Sequence, residues 1–190
     1  QFKKKLKVIY FSALTKEKGI YDYLNLTKTF YKKKIDFYIF GNNCTKQVLC
    51  DLKQYKKNNI IKEYKLNIYN KSKEALFKSS DILIFPSRYK SETTPLVIDE
   101  CINFQVVPIA YDIGDIKGQL EGLNLIVNNF KNLKSKLNHV LSNYKGYKKK
   151  LILLKKKKLK RINIDFKDFD KIFLLKWYNL MYLLKFFNHP

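Results

Sequence analysis

Short apolar runs alternate with longer amphipathic stretches along this chain, and the two periods predict different elements. Leu6-Lys7-Val8-Ile9-Tyr10-Phe11 reads as a strand, and a loop from Ser12 to Lys18 follows it. Between Gly19 and Tyr31, the positions Ile20, Tyr23, Leu24, Leu26 and Phe30 fall on one side of a helix. A second strand, Phe37 to Phe40, is closed by the turn signal Gly41-Asn42-Asn43. A helix is expected over Thr45 to Lys56, a short third strand beginning at Ile60-Ile61, and a short helix capped by Ser72 and reaching Lys78. Asp81-Ile82-Leu83-Ile84-Phe85 then runs apolar without alternation up to Pro86-Ser87, as a strand covered on both faces does. A helix from about Pro95 to Phe104, strands at Val106 to Ala110 and Leu125 to Val127, and a helix from Lys131 to Leu141 complete the series.

Strands alternating with helices at this spacing predict an α/β fold, a doubly wound parallel sheet of Rossmann-like type. The pattern changes after Ser142. Lys148 to Arg161 is dense in lysine yet carries Leu151, Ile152, Leu153, Leu154 and Leu159. Phe166 to Phe187 is an aromatic-rich amphipathic helix or helix pair that includes Trp177. We therefore expect one α/β domain over residues 1–145 and a helical extension over 146–190.

Charge changes the picture less than its size suggests. The chain has 190 residues and a net charge of +23, but Arg88 and Arg161 are its two arginines and the other 37 basic residues are lysines. Arginine is the residue suited to bidentate reading of phosphates and bases, so nucleic acid is not the expected partner. Lysine filling every tolerant surface site, alongside abundant Asn, Ile, Phe and Tyr, points to compositional drift; docking on an anionic membrane is the alternative. With 46% hydrophobic residues there is ample material for a core, which excludes a disordered polycation. Three cysteines exclude a disulfide-stapled scaffold, and Cys44, Cys50 and Cys101 lack paired-cysteine metal spacing. His139 and His189 are isolated, so no metal is implied. No apolar run reaches membrane-spanning length and no signal-peptide pattern opens the chain, so a cytoplasmic location is expected, at most peripheral to a membrane.

The candidate chemistry lies between Asp81 and Asp112. A buried strand ends at Pro86-Ser87, a polar loop follows, and a helix starts near Thr93-Thr94-Pro95. The N-terminus of such a helix presents unpaired N–H groups and the positive end of a dipole, a site for a diphosphate. Ligands of doubly wound sheets bind at the carboxyl ends of the strands, where this loop falls. Glu92 and Glu100, with seven residues between them, bracket that helix start. Carboxylates repel phosphate, but they accept strong hydrogen bonds from sugar hydroxyls.

This stretch resembles the donor-binding half of retaining glycosyltransferases of the GT-B fold, family four (the group 1 glycosyl transferases). Members carry a strand ending in Pro-Ser, two glutamates seven residues apart, then a helix and a strand similar to Val107-Pro108-Ile109-Ala110-Tyr111-Asp112. The first strand and the loop ending in Lys18-Gly19 also resemble the family, as does the closing segment with Trp177. The resemblance implies a nucleoside-diphosphate sugar as co-substrate and a hexose passed to an acceptor hydroxyl of a glycan or lipid. It assigns the catalytic position against the sugar to Glu92 and the ribose to Glu100. Lys18 would meet the diphosphate, together with the N–H groups of Thr94 and Leu96, and Thr93 joins them in the donor site.

Four departures stand out. Ala13 replaces the family's early arginine, Ser12 a glycine, Gln105 the glycine that ends the helix, and Pro95 another glycine. Pro95 has no N–H to offer, and Ala13 removes one of two expected cationic contacts. A GT-B enzyme also needs an acceptor-binding domain, supplied in cis or in trans. The chain by itself, whether fragment, split subunit or remnant, is expected to bind donor weakly and to transfer no sugar. The rival reading is a non-enzymatic basic α/β module that docks on an anionic membrane or nucleic acid. Lysines gathered on one face would favour docking, and an even spread would favour drift.

Overall fold

The computed structural model describes residues 5–68 and 70–161. Six strands form one wholly parallel sheet: β1 (Leu6–Phe11), β2 (Ile35–Gly41), β3 (Glu63–Leu66), β4 (Ile82–Phe85), β5 (Val107–Tyr111) and β6 (Ile126–Val127). Their order is β3-β2-β1-β4-β5-β6. The chain enters mid-sheet at β1, steps out to β3, returns to pair β4 with the other side of β1, and steps out again to β6. That reversal between β1 and β4 is the switch point at which doubly wound sheets open a crevice.

The apolar runs account for the centre of this order. Val8, Ile9 and Tyr10 of β1, Ile82, Leu83 and Ile84 of β4, and Val107, Ile109 and Ala110 of β5 are all fully buried. In register, Val8 sits between Phe37 and Ile82, and Ile82 continues to Val107. Side chains on both faces of these strands leave water, and the helices α1 (Ile20–Phe30), α2 (Lys46–Lys57), α3 (Asn70–Lys78), α4 (Leu96–Phe104), α5 (Ile116–Leu120) and α6 (Phe130–Ser142) supply the cover. On α1 the buried set is Ile20, Tyr23, Leu24, Leu26, Thr27 and Phe30, a stripe of helical period. Thr45 caps α2 by accepting the Val48 N–H at 3.3 Å, and Asn129 caps α6 by accepting that of Asn132 at 2.9 Å.

Three sequence expectations shift. The third strand runs Glu63–Leu66, so it starts three residues later than the expected beginning at Ile60-Ile61. The two isoleucines instead close the end of α2, their N–H groups both reaching the Tyr55 carbonyl, and Ile61 joins the core. Ser72 is not a cap, because α3 already begins at Asn70. Between β5 and β6 lies α5, a helix of five residues that the pattern of the sequence did not announce.

The chain divides into two compact units, residues 1–152 and 153–190. Within the first, a helix begins at 144 and buries Tyr144, Tyr147 and Leu151. The Tyr144 hydroxyl donates to Asp81 at 2.9 Å, and the Lys148 ammonium donates to the Gln105 carbonyl. Of the second unit, residues 153–161 are described, and they are helical. The aromatic-rich segment expected over Phe166 to Phe187, Trp177 included, lies outside the described residues.

Gln105 ends α4 with φ 60, in the left-handed region where a side chain is strained and glycine is not. Gln105→Gly should therefore stabilise the protein by about 1 kcal/mol, because the left-handed conformation costs a non-glycine residue about that much. Urea unfolding would show it as a higher midpoint at unchanged slope.

Candidate active site

The site is built from the loops that leave the carboxyl ends of the central strands. After β1, the Ser12 and Leu14 N–H groups donate to the carbonyls of Phe40 and Asn42, fastening the loop to the end of β2. The fully buried Tyr10 holds the same loop from beneath: its hydroxyl donates to the Ala13 carbonyl at 2.7 Å, and the Lys18 carbonyl lies 3.1 Å away. Burial pushes the Tyr10 phenol well above its ordinary pKa, so the group remains a donor throughout the physiological range.

Gly19 follows, at φ 80, and starts α1 against the backbone beyond β4. A Cβ there would stand 2.0 Å from the Pro86 carbonyl oxygen. The Arg88 N–H donates to the Glu17 carbonyl at 2.8 Å, joining the same two segments. This close approach carries Lys18 to Glu92. Their charged groups form an ion pair, both four-fifths buried, and the Lys18 ammonium also lies 4.2 Å from the centre of the Tyr89 ring.

A second brace flanks the first. Arg88 pairs with Asp22 of the first turn of α1 at 2.5 Å, and the Tyr111 hydroxyl donates to the same carboxylate at 2.6 Å. Burial, and then the bond to Asp22, raise the Tyr111 pKa. The cluster ties α1 to the ends of β4 and β5, and none of its members was marked by sequence pattern.

The turn before α4 is fixed from behind. Gly114, at φ 55, packs so closely that a Cβ would lie 2.2 Å from the Thr93 carbonyl oxygen and 2.5 Å from that of Glu92. The Asp115 N–H donates to the Thr93 carbonyl at 2.7 Å. From α5, the buried Gln119 amide donates to the Pro95 carbonyl at 3.1 Å and to Asp99 at 2.6 Å. Pro95 is the cap residue of α4. Leu96 and Val97 open the helix, whose leading N–H groups have no acceptor within it, and both residues line the cleft.

That cleft encloses about 430 Å³. Of the six residues singled out from sequence, Lys18, Glu92, Leu96 and Glu100 line it. Thr93 and Thr94 lie on the exposed turn between the lining residues Glu92 and Pro95. Ala13 lines the wall and brings no charge. Lys73, on α3, is the addition that sequence reading missed: its ammonium lies 2.5 Å from Glu100 Oε1 and 5.2 Å from the centre of the Phe11 ring. Only proximity in the fold distinguishes it from the other lysines. The second Glu100 oxygen, Oε2, is covered and has no hydrogen-bond partner among the described residues.

Elsewhere the chemistry-bearing residues are plain. Cys101 is on the buried face of α4, where burial raises its thiol pKa, and His139 is exposed beside Tyr147. Among the described residues no group of three His, Cys, Asp or Glu side chains could hold a metal ion. No described helix is long and apolar enough to cross a membrane. Exposed lysines stand on most of the described helices, such as Lys28, Lys53, Lys78, Lys117, Lys131 and Lys149.

A parallel doubly wound sheet flanked by helices, with a cleft at its switch point, is a Rossmann-like domain of the kind found in GT-B glycosyltransferases. The sequence signature of the glycosyl transferases group 1 matches residues 1–158, and the chain belongs to that family. No curated protein matches it in sequence. Among solved structures it is similar to the pneumococcal O-GlcNAc transferase GtfA in complex with UDP and GlcNAc (TM-score 0.70, 16% identity, 90% of this chain and 36% of that one). It is similar also to Anabaena HepE in complex with UDP-glucose (TM-score 0.69, 12% identity, covering 88% and 48%). A third is WaaG, a glycosyltransferase involved in lipopolysaccharide biosynthesis (TM-score 0.62, 9% identity, covering 79% and 42%). At such identities the likeness is one of fold. The chain spans between about a third and a half of the length of these structures.

Proposed function

We propose that this chain is the donor-binding half of a retaining glycosyltransferase, taking a hexose from a nucleoside-diphosphate sugar to an acceptor hydroxyl. The observation that carries the reading is the convergence of Lys18, Glu92, Glu100 and the start of α4 in one cleft at the switch point. The exposed N–H groups of α4 and the Lys18 ammonium suit a diphosphate, as donor in the ground state and as leaving group when the sugar departs. Glu100, one turn and more along α4, suits the ribose diol. Glu92 stands before the helix, where a sugar attached to the diphosphate would lie, and orients it through its hydroxyls.

Two of the similar structures hold UDP or UDP-glucose, which supports a uridine nucleotide as the first donor to try. The acceptor and the opposite wall of the cleft would come from a second domain. Closure of two walls supplies orientation and excludes water, so we expect transfer only when that domain is present.

Titration calorimetry with uridine, guanosine and adenosine diphosphates tests the reading. One of the three should bind, and Glu100→Ala should weaken it by roughly 1–3 kcal/mol through loss of charge-assisted hydrogen bonds. Equal affinity in mutant and wild type would remove Glu100 from the site.

A further inference from the structure

Between Glu121 and Asp165 the sequence has no acidic residue, and its densest basic run, Lys155 to Lys158 followed by Lys160 and Arg161, falls inside that interval. Drift toward lysine acts on every tolerant position, and elsewhere it leaves lysines beside carboxylates, as in the pairs Lys78–Glu74 and Lys117–Asp112. It does not account for so long a stretch without a carboxylate.

The run lies in the second unit, whose described residues 153–161 are helical. At helical spacing Leu153, Lys156 and Lys160 share one face, and Leu159 stands at its flank. Each of them is exposed, Leu153 at 64% and Leu159 at 44%. Leu154, Lys155 and Lys158 fall on the opposite side and are more covered. Exposed leucines set among lysines are what separates a lipid surface from a nucleic acid as partner. Phosphate attracts the ammonium groups in either case, but the acyl boundary of a bilayer also takes up the apolar side chains. Lysine stems can lie along that boundary while their charged heads stay at the phosphates.

We propose that residues 153–161 present a docking face for an anionic phospholipid bilayer, with Leu153 and Leu159 entering the acyl boundary and Lys156 and Lys160 meeting the lipid phosphates. This does not rest on the reading of the cleft.

The experiment sediments the full chain with vesicles of phosphatidylcholine, and with vesicles of phosphatidylcholine and phosphatidylglycerol in equal parts. Wild type should bind the mixed vesicles, leave the neutral ones, and be released as salt is raised. A lysine near an anionic surface contributes about fivefold in affinity, so Lys156→Gln with Lys160→Gln should weaken binding roughly 25-fold. Leu153→Gln should weaken it about tenfold, by losing the burial of one leucine. The control, Lys53→Gln with Lys57→Gln, removes the same charge from exposed positions of α2 and should change binding by less than about twofold, since charges beyond a Debye length are screened.

An equal loss in the control would mean that total charge, not this face, holds the vesicle, and would overturn the proposal. Binding of neutral and mixed vesicles alike, or of neither, would do the same. Duplex DNA at equal phosphate concentration that binds more tightly than the mixed vesicles, with Leu153→Gln leaving that affinity untouched, would make the face a nucleic-acid surface and also overturn it.

Discussion

Gly114→Ala should lower sugar transfer by about 100-fold while leaving the unsugared nucleoside diphosphate bound within a few fold. Gly114 sits at φ 55, and its missing Cβ would lie 2.2 Å from the Thr93 carbonyl oxygen and 2.5 Å from that of Glu92. Carbon and oxygen need more than 3 Å, so the turn carrying Glu92 would have to retreat by about 1 Å. A displacement of that size at a reacting centre costs on the order of 100-fold, because near-attack geometry is lost. Lys18 stands on another segment and Glu100 lies a full turn further along α4, so both should still hold a nucleotide. The measurement is transfer with the acceptor domain supplied, alongside calorimetry with the diphosphate alone. Transfer within threefold of wild type would show that the turn does not position the sugar.

The second large effect falls on stability. Gly19 takes φ 80, and a Cβ would stand 2.0 Å from the Pro86 carbonyl oxygen and 2.6 Å from its carbon. Both are backbone atoms at the end of a fully buried strand, and backbone there yields poorly. Gly19→Ala therefore combines a left-handed conformation with a core clash, and should cost about 3 kcal/mol or more. For a domain of this size that lowers the thermal midpoint by roughly 10 °C. Lys18 is the neighbouring residue, so the ion pair with Glu92 should loosen as well. A midpoint within 2 °C of wild type would mean that α1 can start elsewhere.

The sheet was readable from sequence where burial dictates composition. The runs at Val8 to Tyr10, Ile82 to Phe85 and Val107 to Ala110 are apolar because neighbours cover both faces, and that leaves little else for them to be. β3 escaped the same reading because it is an edge strand of Glu63, Tyr64, Lys65 and Leu66, none of them buried. Its pairing partner β2 decides its place, through Tyr38 opposite Glu63 and Gly41 opposite Leu66. Ile60 and Ile61 drew the assignment because they are hydrophobic, but Ile61 is buried in a turn, and burial alone does not make a strand. α5 has five residues with a glycine among them, too short for any period to show.

The site divides in the same way. Glu92 and Glu100 carry a spacing along one segment, and the helix between them follows from the apolar face of Ile98, Cys101 and Ile102. Thr93 and Thr94 share that segment and are exposed, and a part for the backbone N–H groups there does not depend on their side chains. Lys73, Arg88, Asp22 and Tyr111 become meaningful only through pairings across the fold, such as the 89 residues that separate Asp22 from Tyr111.

Lys18 and Glu92 are 74 residues apart and meet because β1 and β4 lie side by side. No stretch of the unfolded chain can reproduce their arrangement. A ligand that fills the cleft is thus a ligand of the native state alone, and by linkage its binding free energy adds to that of folding. At a hundred times its dissociation constant, such a ligand contributes about 2.7 kcal/mol, a substantial fraction of the margin by which a domain of this size stays folded. In a cell, the concentration of such a ligand would then govern how much of this protein stays folded.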